Sequence, residues 1–144
     1  MTKIIVGIFL SVFSFTSITA QHKKSNPVSE QDNADVLQAT LKAANGFLLS
    51  NQSKPGIDTL QNTRAAITPS TSIELKREYY WLLGELFYKS KNYTALVKHA
   101  DSLLDLQNGG KDTLWLIKGL VQKAFGMLHQ TQLFRENQQS GDLI

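Results

Sequence analysis

The amino-acid sequence predicts an all-α domain of antiparallel helix-turn-helix pairs. Three observations predict it. Apolar residues recur at three- and four-residue spacing in each segment after about residue 34, and no run alternates apolar with polar residues. Short stretches rich in Gly, Pro, Ser, Thr and Asn separate those segments. Matching residues also recur at a fixed offset. Tyr80 and Gly84 are matched by Trp115 and Gly119, 35 positions on. Ile57, Leu60, Arg64 and Ile67 are matched by Tyr93, Leu96, Ala100 and Leu103, 36 positions on. Helix pairs of this kind bury their apolar faces by stacking on one another, which gives a short solenoid. The alternative is a compact five- or six-helix bundle.

The elements follow in chain order. Residues 1–20 read as a secretory signal peptide: Lys3, an uncharged apolar run from Ile4 to about Ile18, then small residues to Ala20, with cleavage expected between Ala20 and Gln21. The run is short and diluted by Ser11, Ser14, Thr16 and Ser17, so it suits a cleaved leader better than a membrane anchor. Residues 21–33, polar and with Pro27, read as a flexible lead-in, and residues 34–144 as the helical domain. The first helix is expected from about Asp35 to Leu49, capped by Asp35 or Asn33. Pro55 and Gly56 are expected to break it before a second helix from Gly56 to Ile67. A third runs from about Ser72 to Lys89 and a fourth from Tyr93 to Leu106, closed by Gly109 or Gly110. The fifth begins after Asp112 or Thr113 and ends near Leu128. "HQT" is read as a turn before a last short piece, Gln132–Gln138.

Composition excludes several classes. The formal charge of the 144-residue chain is +3, and adjacent basic residues occur only at Lys23-Lys24 and Lys76-Arg77, so no phosphate-tracking stripe is present. There is no cysteine, hence no disulfide framework and no site for a lipid anchor after the leader. The mature domain must be held by its own packing, which about 120 residues can supply.

The segment Tyr80–Leu104 resembles the tetratricopeptide repeat. Tyr80, Leu83, Gly84 and Phe87 fit the aromatic, Leu, Gly, aromatic pattern of its first helix, and Tyr93 resembles the start of its second. Departures lie on either side. Lys118 and Gln122 stand where the pattern wants apolar residues, and the linker between Ile67 and Tyr80 is too long for a regular repeat. The resemblance implies that Tyr80, Leu83, Gly84 and Phe87 pack inside a helix pair, the glycine letting the second helix approach. It also implies a concave groove lined by Glu78, Trp81, Glu85 and Tyr88. One repeat later the counterparts are Thr113, Leu116, Leu120 and Lys123. Trp81 and Tyr88 then either anchor a ligand in the groove or are covered by the first helix pair and belong to the core. A terminal repeat needs a polar capping helix. After the fifth helix only a short one fits before Ile144, so the last face is poorly capped, covered by a partner, or continued in a longer chain.

Chemistry is thinly signalled. The three histidines, His22, His99 and His129, lack ligand spacing. His99 and Ser102 share a helix side but have no third group to orient the imidazole, and they read as a solvated face. "NGGK" lacks the spacing of a phosphate loop. No catalytic residue, metal or cofactor is expected. The expected function is an exported, non-catalytic interaction module that offers a helix-lined groove to a peptide or protein. Trp81, Tyr88, Leu116 and Leu120 would give apolar contacts, with Glu78, Glu85 and Lys123 at the rim. Nucleic acid is not expected as a partner, and a membrane only through a retained leader. The alternative is a sensory or scaffold fragment of a larger bacterial membrane signalling protein.

Overall fold

The computed structural model describes residues 30–106 and 112–141. The leader, residues 21–29 of the lead-in and the cap at Gly109 or Gly110 lie outside the described residues. Five α-helices are present there: α1 (Glu30–Leu49), α2 (Ser53–Asn62), α3 (Ile73–Lys89), α4 (Tyr93–Asp105) and α5 (Thr113–Gly141). A single 3₁₀ turn, Arg64–Ala66, follows α2. No strand occurs among the described residues, and none of their helices is long and apolar enough to cross a membrane.

Four boundaries differ from expectation. The first helix starts at Glu30 rather than near Asp35, so the lead-in loses its last four residues. Asp32 and Asp35 in its first turns suit the positive end of the helix, and Gln31 Nε2 donates to Asp35 Oδ1 at 3.0 Å. Pro55 and Gly56 do not break the chain; they sit inside α2, which begins at Ser53. Proline is tolerated in a first helical turn, where its missing N–H would have no partner. The break is made instead by Asn51, whose φ of 61° lies in the left-handed region. Two bonds close α1 around it: Gln52 N to Phe47 O at 2.8 Å and Asn51 N to Leu48 O at 3.2 Å. The turn between α3 and α4 repeats this geometry without glycine. Lys91 has φ 59°, with Asn92 N to Phe87 O at 2.9 Å and Lys91 N to Tyr88 O at 3.0 Å.

The second helix stops at Asn62 instead of Ile67. Its continuation tightens to a 3₁₀ turn because Thr68 precedes Pro69 and is excluded from the helical region. Ser72 caps α3 by accepting from Leu75 N at 3.3 Å, and Asn92 caps α4 by accepting from Ala95 N at 3.1 Å. Most different is α5, where "HQT" is not a turn. Thr131 Oγ1 folds back onto Met127 O at 2.9 Å, Gln130 Nε2 reaches Thr94 Oγ1 at 3.3 Å, and the helix runs on. No proline or glycine stands between Met127 and Ser140 to stop it.

The core is centred on α3. Leu37, Leu41 and Ala44 of α1, Leu60 of α2, Tyr79, Leu82, Leu83, Leu86 and Phe87 of α3 and Leu96 of α4 form one buried apolar cluster. Tyr79 is 1% exposed and its hydroxyl donates to Leu60 O at 3.1 Å; burial pushes its phenol up to about 12. Gly56 is buried because α2 crosses closely there: a Cβ would lie 2.8 Å from Leu86 Cδ2 and 3.2 Å from Phe47 Cβ. Helix α5 packs on α4 and, over fewer residues, on α3.

Candidate interaction groove

Along α3, Glu78, Trp81, Glu85 and Tyr88 recur at three- and four-residue spacing and so share one side of the helix. The structure brings these four together as a half-exposed row, with Tyr88 the most open at 38%. Beside Glu78 lies α1, and a shallow groove of about 590 Å³ runs between them, lined also by Asp35, Gln38, Lys42 and Asn45. On the other side lies α5.

The contacts with α5 are specific. Trp81 meets Trp115 edge-on, ring centroids 6.5 Å apart. The ammonium of Lys118 sits 4.4 Å from the Trp81 ring centroid and 4.2 Å from that of Trp115, a doubled cation–π contact. Gln122 is buried and its Nε2 donates to Trp81 O at 3.0 Å and to Glu85 Oε1 at 2.9 Å. Both partners are acceptors, which fixes which end of the amide faces them. Gly84 makes room for that carboxamide, since a Cβ there would collide with it. The glycine thus admits α5, not the second helix of its own pair as expected. Tyr80 and Phe87 do face α4, where His99 stacks on both.

Farther along the row, the Tyr88 ring gathers with Tyr93, Phe125 and His129 at centroid distances of 6.3, 6.1 and 5.9 Å. A cleft of about 150 Å³ opens there between α3 and α5, walled by Tyr88, Phe125 and Val121, with Glu85 and Gln122 as its polar groups and Leu96 at its base. An apolar cavity with a few converging polar groups is the usual form of a recognition pocket.

The expected residues of α5 are not in this row. Leu116 and Leu120 are 41% and 51% exposed and lie away from the stripe, Gly119, Gln122 and Gly126, that α5 buries. Lys123 pairs with Asp101 of α4 at 2.8 Å instead of rimming the groove. The offset of 35 carries the glycine over from Gly84 to Gly119 but not the direction it faces. Gly119 abuts Leu104 and Leu103 of α4, whereas Gly84 abuts α5. The residues that reach α3 are Trp115, Lys118, Gln122, Phe125 and His129. Two of them, Lys118 and Gln122, are the positions where the repeat pattern fails, and that failure was the available signal.

The pair His99 and Ser102 is also placed differently. Ser102 Oγ donates to Lys98 O at 3.1 Å, and His99 is half-buried between aromatic rings instead of solvated. Among the described residues no three His, Cys, Asp or Glu side chains converge as a metal site would need. Compared with known proteins, the chain matches no family model, no curated protein and no solved structure.

Proposed function

We propose that the chain is an exported, non-catalytic interaction module, similar to a tetratricopeptide repeat, that takes a peptide or protein segment along the side of α3. Export rests on the leader-like residues 1–20, and the repeat likeness on Tyr80–Leu104. The observation that carries the binding reading is the cleft between Tyr88 and Phe125, floored by apolar surface and edged by Glu85. Half-exposed aromatic walls with one carboxylate suit an apolar or aromatic anchor that brings a donor group, such as a backbone N–H or a lysine. Trp81 supports this site more than it lines it, since Trp115 and Lys118 already cover part of its ring.

The test is selection of peptides from a random displayed library on the full chain, followed by binding to two variants. Phe125→Ala is expected to weaken the selected peptides at least tenfold and to cost less than about 1 kcal/mol of stability, its ring being 48% exposed. Trp81→Ala is expected to cost about 2–3 kcal/mol, because it packs against the core. Selected peptides that bind Phe125→Ala and wild type equally would remove the cleft as the site, and failure to enrich any peptide would remove the reading.

A further inference from the structure

The side of α5 that points away from α3 and α4 is apolar over most of its length. Ile117, Leu120, Ala124, Met127, Thr131 and Phe134 follow one another at alternating steps of three and four. That is the seam of a helix that pairs with another helix, with small Ala124 and Thr131 between the larger knobs. Leu116, Val121 and Leu128 widen the strip on its flanks, and all of the large side chains in it are 41–62% exposed. Together they present on the order of 600–800 Å² of apolar surface, more than most monomers leave open and close to what one partner contributes to a stable interface.

Charge narrows the occupant. From Thr113 to Phe134 the only charged residues are Lys118 and Lys123, and both are engaged: Lys118 over Trp81 and Trp115, Lys123 with Asp101. The outward strip therefore carries no charge until Arg135, which closes it one residue beyond Phe134. A membrane-surface helix is expected to flank its apolar side with several free basic residues, and this one has a single arginine at its far end. A partner of opposite charge would find only that arginine to pair with. A second copy of the same strip meets no like charge and matches its seam residue for residue about a two-fold axis, as an isologous interface requires. We propose that the outward side of α5 is a homodimer interface, formed by the seam of Ile117, Leu120, Met127 and Phe134 against its copy.

The chain lacks cysteine, so single-cysteine variants report proximity cleanly. The full chain is measured by sedimentation at about 100 µM, where a dimer of micromolar affinity is mostly formed. Twice the chain mass of 16.1 kDa is expected. The double variant Leu120→Glu with Met127→Glu is expected to sediment as a monomer with unchanged circular dichroism. Ala124→Cys is expected to form an intermolecular disulfide at least tenfold faster than Asn45→Cys, which lies on α1 far from the strip. Because every variant keeps residues 1–20, any association through that segment is common to all. A monomeric wild-type chain, dimers that survive both glutamates, or equal cross-linking at residues 124 and 45 would each overturn the proposal. So would binding of the wild-type monomer to neutral phosphatidylcholine vesicles that the glutamate pair abolishes.

Discussion

Between Tyr80 and Phe87, two turns apart on α3, lies a slot that the imidazole of His99 fills, with ring centroids 6.1 and 5.2 Å away. Burial first, and then the nearby cations Lys98 and Arg64, lower its pKa from 6.5 to about 4. The sign of the effect follows from proton counting. Below 6.5 the unfolded chain takes up a proton at His99 that the folded chain refuses until about 4. The stability tied to the neutral imidazole is thus complete above pH 6.5 and is lost as pH falls toward 4. The drop from 6.5 to about 4 corresponds to about 3 kcal/mol, which solvent screening of this half-buried ring brings down to about 2 kcal/mol. His99→Phe keeps a flat ring in the slot and removes the titration. Urea unfolding at pH 7 and pH 4.5 is expected to show a loss for the wild type larger by about that amount than for the variant. Equal losses would mean that His99 is protonated inside the fold. Sequence alone had set His99 on a solvated side beside Ser102. Helical spacing shows which residues share a side of one helix, but not that a neighbouring helix brings two aromatic rings to meet that side.

At the scale of elements, α3 and α4 were legible almost to the residue, because Ser72 and Asn92 are capping residues directly before periodic apolar runs. Both helix-pair turns were less so. Their left-handed residues are Asn51 and Lys91, and a lysine in that conformation leaves no mark in composition. The break read at "HQT" failed for a related reason: Thr131 bonds back to Met127 O and is compatible with a helix that already exists. Beyond Gln130 that helix is little packed, and residues 131–139 are all exposed. A segment of this kind is helical only as an extension of the packed part. At dilutions where the chain is a monomer, Thr131→Pro is therefore expected to remove the helical circular dichroism of about ten residues while lowering the unfolding free energy by less than about 1 kcal/mol. A loss above about 2 kcal/mol in the monomer would show that the end of α5 is packed within its own chain, and a loss that grows with protein concentration is what the second copy proposed above predicts.

Taken as a whole, the molecule is organised around one helix. The backbones of α1 and α2 lie close to that of α3 but not to those of α4 or α5 among the described residues, and α3 alone lies close to all four others. Fold class was legible because repeated amphipathic segments with short breaks admit little else than stacked helices. The way α5 is turned was not, since matching Gly84 to Gly119 cannot show which helix each glycine meets. Such serial contact predicts that stability is shared between neighbours and not across the whole. Leu41 belongs to the junction of α1 with α3, and Leu83 to that of α3 with α4. Each is 1% exposed, so truncation to alanine costs about 2–5 kcal/mol in either case. The distribution should differ. In Leu41→Ala, hydrogen exchange is expected to speed up in α1 and α2 while α4 and the first half of α5 keep their protection. In Leu83→Ala, protection should fall in α3 and with it in every helix, because all of them depend on it. Uniform loss in both variants would show that the five helices open as one unit and that α3 is a member of the core, not its junction.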